Sequence, residues 1–187
     1  MTNFEIILVA FSLAMDALAV SVGKGLSLRE IRPKPMLICG IWFGGSQLLM
    51  SLIGFYLGTF LSSYISQYNY WAAFILLVLI GGNMIRKARN KKQDADPDVD
   101  PSEMFRPAVE TGIGALAAGA AYAFLYAGSW RTSVLIGVLA FFLSMAGVRL
   151  GSAFGNKYRP RAELAGGLIL CVIGLRILLS ELGVAYF

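Results

Sequence analysis

Apolar residues gather in six long runs, roughly Phe4–Val22, Met36–Leu61, Tyr68–Ile85, Ala108–Tyr126, Thr132–Phe154 and Leu164–Leu182, with polar stretches between them. Each run is long enough to cross a hydrocarbon core of about 30 Å as a helix rising about 1.5 Å per residue. The pattern predicts an all-α integral membrane protein with six transmembrane helices. Hydrophobic residues make up 57% of the 187 positions, too many for a soluble domain of this size to cover with polar surface. The first run starts almost at Met1, has no basic residue ahead of it and contains Asp16. It therefore reads as the first span and not as a cleavable signal.

Charge sets an orientation. Lys24, Arg29, Arg32 and Lys34 lie between helices 1 and 2. Arg86, Lys87, Arg89, Lys91, Lys92 and Arg106 lie between 3 and 4, and Lys157, Arg159 and Arg161 between 5 and 6. The other two connections carry only Arg131. The bias places the odd-numbered connections in the cytoplasm and both termini outside. The lipid bilayer is then the partner of these basic residues, and no nucleic acid is needed to explain them. Tyr64, Tyr68, Tyr70, Trp71 and Trp130 suit an outer interfacial belt.

The chain also repeats itself. At an offset of 93, Gly44, Ser51, Gly54 and Gly58 fall on Gly137, Ser144, Gly147 and Gly151, and Ile80-Gly81 falls on Ile173-Gly174. At an offset of 98, Ala17-Leu18-Ala19 falls on Ala115-Leu116-Ala117. The reading is two three-helix repeats, residues 1–88 and 107–187, joined by a charged cytoplasmic linker over 89–106. Because three is odd, the second repeat enters the membrane inverted, an architecture common among secondary transporters. Gly54-x-x-x-Gly58 and Gly147-x-x-x-Gly151 read as close-packing faces. Asp94, Asp96 and Asp98 begin like a calcium loop, but Val99 stands where the turn glycine belongs and Phe105 where the closing glutamate belongs.

Few polar side chains survive inside the spans. Asp16 shares a helix face with Ser12 and Gly23, a plausible half-site for a hard divalent cation. A membrane carboxylate costs about 2.5–3.5 kcal/mol on insertion scales, so it needs a partner or a function. Gln47, Asn83, Glu110, Thr111 and Ser144 are the other oxygen donors, with Asn83 and Ser144 read as helix-to-helix hydrogen bonds. A structural alternative pairs Asp16 or Glu110 with Arg149, and Arg176 is expected to snorkel to the interface. There is no histidine, and Cys39 and Cys171 form no C-x-x-C. A thiol–disulfide carrier with symmetric cysteines is disfavoured, because the repeat carries Cys39 onto Thr132.

The stretches "FSLAMDALAVSVGKGLSL", "GIWFGGSQLLMSLIGFYLG", "WAAFILLVLIGGNMI", "LSMAGVRLGSAFGNK" and "AELAGGLILCVIGLRIL" resemble the MntP family of manganese efflux pumps. That family sits within the lysine-exporter superfamily of small six-helix transporters, and the resemblance covers nearly the whole chain apart from the linker. It implies a non-enzymatic exporter in the bacterial inner membrane, with Mn2+ as transported substrate and no cofactor. Export would be driven by an ion or proton gradient, with a carboxylate protonated on release. A homodimer is compatible with this reading and not required by it. The family pattern in the first half is carried here by Asp16 and Gln47; the metal site expected is these two with Glu110, and Ser12 and Ser144 as helpers.

Two departures from the family pattern stand out. Ser51 replaces a helix-2 proline, and Gly114, in "GIGALAAG", replaces the second-half aspartate. Glu110 projects from the face of Gly114 one turn away, so it is expected to take over the missing carboxylate. The alternatives are export of another cation or small solute, or a non-transporting membrane protein that has lost its second metal carboxylate.

Overall fold

The computed structural model describes residues 3–26, 33–62, 64, 68–89, 101–125, 130–154 and 159–181. These hold six α-helices: α1 (Asn3–Leu26), α2 (Pro33–Ser62), α3 (Asn69–Arg89), α4 (Pro101–Phe124), α5 (Trp130–Phe154) and α6 (Arg159–Glu181). Pro33 and Pro101 occupy first helical positions and Pro160 a first turn, where the missing N–H breaks no hydrogen bond. Five helices are long and apolar enough to cross a bilayer. The remaining one, α4, is diluted by Pro107, Glu110, Thr111 and several glycines.

That helix begins ahead of its apolar run, at Pro101 and not near Ala108. The reason is packing: Met104, fully buried, joins Ala108, Cys39 and Phe43 in one apolar cluster with α1 and α5. The charged segment expected over 89–106 is therefore helical at its edges, with Arg89 closing α3 and Pro101 opening α4. Residues 90–100, including Asp94, Asp96 and Asp98, lie outside the described residues.

Residue sizes are sorted in the manner of a membrane protein. Ala10, Ala14, Ala17, Ala19, Ala115 and Ala140 are buried, whereas Ile41, Leu49, Phe60, Leu79, Phe142 and Val172 are exposed. Small residues bring helices close and large apolar ones face lipid; so much exposed hydrocarbon requires an apolar solvent. The chain is a multi-pass integral membrane protein.

Close backbone approaches define the helix pairs. A β-carbon on Gly54 would lie 1.9 Å from the Leu116 carbonyl on α4, and one on Gly147 would lie 2.6 Å from the Leu18 carbonyl on α1. The same relation joins Gly58 to Ala120 and Gly151 to Val22. Gly44 and Gly137 face each other's carbonyls across α2 and α5, where Ser51 Oγ also donates to Ser133 Oγ at 3.0 Å. On the far side of the bundle, Gly81 meets Gly167 and Cys171, joining α3 to α6.

Read in sequence order, these contacts make α1 and α5 parallel, α2 and α4 parallel, and α2 antiparallel to α5. Lys24 and Arg86, Lys87 and Arg89 consequently fall at one end of the bundle. The exposed Tyr64, Tyr68, Trp71 and Trp130 gather at the other, and there Arg176 ion-pairs with Glu5. Arg176 is thus anchored across to α1, not merely snorkelling; its side chain is 46% exposed while that of Glu5 is 8% exposed.

Candidate substrate-cation site

Asp16 lies in the middle of α1, about 15 Å from the helix end at Leu26 by helical rise. Its side chain is 10% exposed. Lys87 reaches it from the last turn of α3, with Nζ donating to Oδ1 at 3.4 Å and Oδ2 at 3.5 Å. The same ammonium lies 3.4 Å from Glu110 Oε1 on α4. Three helices therefore deliver two carboxylates to one cation, leaving a formal charge of minus one.

The two carboxylates differ in environment. Asp16 is enclosed, while the Glu110 side chain is 55% exposed, so the cluster has a dry arm and a wet arm. None of the three distances is as short as the roughly 2.7–2.9 Å of a tight ammonium–carboxylate bond. Gly114, one turn beyond Glu110, faces Leu13 and Ile80 at distances where a β-carbon would make ordinary contact.

Gln47 approaches the same stretch of α1. Its Nε2 donates to the Leu13 carbonyl at 3.4 Å, and its buried Oε1 has no hydrogen-bond partner. A buried carbonyl oxygen left in this state is costly and suits a ligand that accepts oxygen donors. Leu13 lies nearly one helical turn before Asp16, so Gln47 sits just deeper than the ion cluster.

Ser12 and Ser144 are placed differently. The Ser12 hydroxyl donates to Leu8 O at 2.7 Å within its own helix, and the buried Ser144 Oγ has no hydrogen-bond partner. The structure links Asp16 to Glu110 through the Lys87 ammonium and sets Gln47 against α1 nearly one turn from Asp16, and neither serine hydroxyl donates to a carboxylate. Asn83 does not bridge helices: its Oδ1 accepts from Arg86 Nη2 at 3.0 Å on α3. Thr111 donates to Ala108 O inside α4.

Arg149, the cation the sequence offered to Asp16, is exposed on α5, and Lys87 takes that place. In the sequence Lys87 is hidden in the basic run "RKARNKK". The readable signal was its helical register. It stands three residues after the buried Met84 and seven after Ile80, on the face that meets α4.

Among the described residues no group of three or more His, Cys, Asp or Glu side chains is positioned to hold a metal. Two carboxylates and an amide carbonyl are oxygen donors, the set preferred by Mg2+, Ca2+ and Mn2+. Such a small set suits a substrate ion that keeps part of its water. Cys39 and Cys171 are both free thiols, on α2 and α6.

Comparison with known proteins gives a consistent result. The sequence model of the MntP family, described as "Putative manganese efflux pump", matches residues 30–178. A protein of Desulfitobacterium hafniense named "Putative manganese efflux pump MntP" is 47% identical, covering 98% of this chain and 97% of its own. Proteins with the same name from Acetivibrio thermocellus, 40% identical over 100% of this chain and 96% of theirs, and Bifidobacterium adolescentis, 37% identical over 96% and 97%, agree. No solved structure matches the chain. With the family model spanning most of the sequence and full-length relatives well above 30% identity, the chain belongs to the MntP family.

Proposed function

We propose that this protein exports Mn2+ from the bacterial cytoplasm by alternating access between two inverted three-helix halves. The observation that carries the site is the convergence of Asp16 from α1 and Glu110 from α4 on a single cation position. Those two helices are counterparts in the proposed halves, and Glu110 fills the role that Gly114 left vacant. Gln47 Oε1 adds a neutral oxygen ligand, water completes the shell, and Ser12 and Ser144 are outer helpers that must turn to contribute.

Support for inversion comes from the glycine contacts. Gly54 with Leu116 and Gly147 with Leu18 are the same contact carried over by the offsets of 93 and 98. The basic residues favour an orientation with the Lys87 end in the cytoplasm and both termini outside. Mn2+ is substrate here, not a cofactor, and the protein is a transporter without enzymatic chemistry.

The test is intracellular manganese in a bacterial host lacking its own exporter. Expression of the wild type should lower manganese content and relieve manganese toxicity. Asp16→Asn should abolish both effects, and Glu110→Gln should weaken them by about tenfold or more, the factor that accompanies loss of roughly 1.4 kcal/mol. A wild type that leaves manganese unchanged would overturn the proposal; a fully active Glu110→Gln would remove Glu110 from the site.

A further inference from the structure

We infer that Lys87 is a tethered counter-ion for the transport site: its ammonium fills the Asp16–Glu110 position when Mn2+ is absent and is displaced when Mn2+ arrives. The inference rests on the manganese reading above and adds the means by which the empty site is kept neutral enough to stay in the membrane. The geometry points to it from three directions.

First, Lys87 Nζ lies between the two carboxylates, 3.4 Å from Asp16 Oδ1 and 3.4 Å from Glu110 Oε1, where an incoming cation would have to bind. Second, these contacts are loose beside the roughly 2.7–2.9 Å of a tight charge-assisted bond. Third, Lys87 stands in the last turn of α3, beside Arg86 and Arg89 at the basic end of the bundle. Its flexible stem can carry the ammonium outward to that surface without moving a helix.

Charge counting gives the direction of the exchange. Two carboxylates and one ammonium sum to minus one, which attracts a cation. A dication added with Lys87 in place would leave plus one around a largely buried carboxylate, and like charges at such range repel strongly away from bulk water. With Lys87 displaced, metal and carboxylates sum to zero. In the reverse step the returning ammonium competes for the carboxylates and helps release the ion. What changes in this exchange is the position of the ammonium. Lys87 is thus a competitor at the site and no ligand of the metal.

The experiment uses the purified full-length protein. Equilibrium binding of Mn2+, read by the electron paramagnetic resonance of the free ion, should be at least about tenfold tighter for Lys87→Met than for wild type, a change of about 1.4 kcal/mol. Lys87→Arg, which keeps the charge, should bind no more tightly than wild type. In proteoliposomes Lys87→Met should show a lower KM for Mn2+ with a lower maximal rate, because release loses its competitor; a merely structural lysine would not split the two.

Where Lys87→Met fails to fold, the wild type itself supplies the measurement. Saturating Mn2+ should speed modification of Lys87 by an amine-reactive reagent several-fold, read by peptide mass spectrometry. Mn2+ affinity unchanged or weakened in Lys87→Met, or Lys87 labelling unchanged or slowed by Mn2+, would overturn the inference while leaving Mn2+ export by the wild type intact. A wild type that neither binds nor exports Mn2+ would overturn the manganese reading and this inference together.

Discussion

A β-carbon at Gly114 would lie 3.6 Å from Ile80 Cγ2 and 3.8 Å from Leu13 Cδ2, which is ordinary contact. The position therefore accepts a β-carbon without a clash, which makes Gly114→Asp a usable probe. It would add a further carboxylate to the Asp16–Lys87–Glu110 cluster. Without metal this variant should be less stable than wild type, because an uncompensated buried charge is costly. Saturating Mn2+ should raise its melting temperature more than it raises that of the wild type, since binding to the folded state stabilises it by mass action. Gly114→Ala is the control: it should be neutral or stabilising by up to about 1 kcal/mol, as for other helix glycines with room for a methyl. Thermal unfolding in detergent with and without Mn2+ measures all three. At this scale Asp16 stands out in the sequence because a carboxylate in an apolar run is conspicuous by cost alone, and Glu110 stands out by its spacing from Gly114. It does not show Lys87, because a lysine at the edge of a basic run looks like every other topogenic charge.

Helices pack in this bundle through backbone contacts that glycine permits, so each pair has its own sensitivity. At Gly54 a methyl group would overlap the Leu116 carbonyl at 1.9 Å, and that obstruction is backbone that cannot rotate away. Gly54→Ala should therefore destabilise the α2–α4 pair by about 1–3 kcal/mol, the range for overpacking. Gly147→Ala, at 2.6 Å from the Leu18 carbonyl, should act in the same direction on α1 and α5. Gly45 and Gly82 have open space where a β-carbon would go, and Ala at either should leave stability unchanged or slightly raised. Unfolding of the four variants by detergent titration checks the ranking; equal effects at Gly54 and Gly45 would contradict it. The spacing of these glycines is visible in the sequence, but their partners are not. Nothing in α2 alone says that Gly54 meets α4 while Gly44 meets α5. The early start of α4 was hidden for a related reason: Met104 is held in a helix by distant residues such as Phe43 and Cys39, not by its polar neighbours.

Viewed whole, the molecule pairs helices mainly across the proposed halves: α1 with α5 and α6, α2 with α4 and α5, α3 with α6 and α4. Rearrangement of one half against the other would then alter nearly every major helix contact, including the junction where α1, α3 and α4 deliver Asp16, Lys87 and Glu110. At the aromatic end the Arg176–Glu5 ion pair and the Tyr122 hydroxyl, which donates to Ile6 O at 3.1 Å, tie α6 and α4 to the start of α1. The six helices were legible because hydrophobicity is a local signal. The neighbour map was not, because helices in lipid associate through shape and a few polar contacts spread over distant positions. The central claim is that Asp16 and Glu110 bind one Mn2+ together. It is tested most directly by a double-mutant cycle in Mn2+ affinity on the purified protein, comparing wild type, Asp16→Asn, Glu110→Gln and the double variant. A shared site predicts that each single substitution weakens binding and that the double one costs less than their sum, with a coupling of about 0.5–3 kcal/mol. Additive losses, or an affinity untouched by Glu110→Gln, would contradict the account.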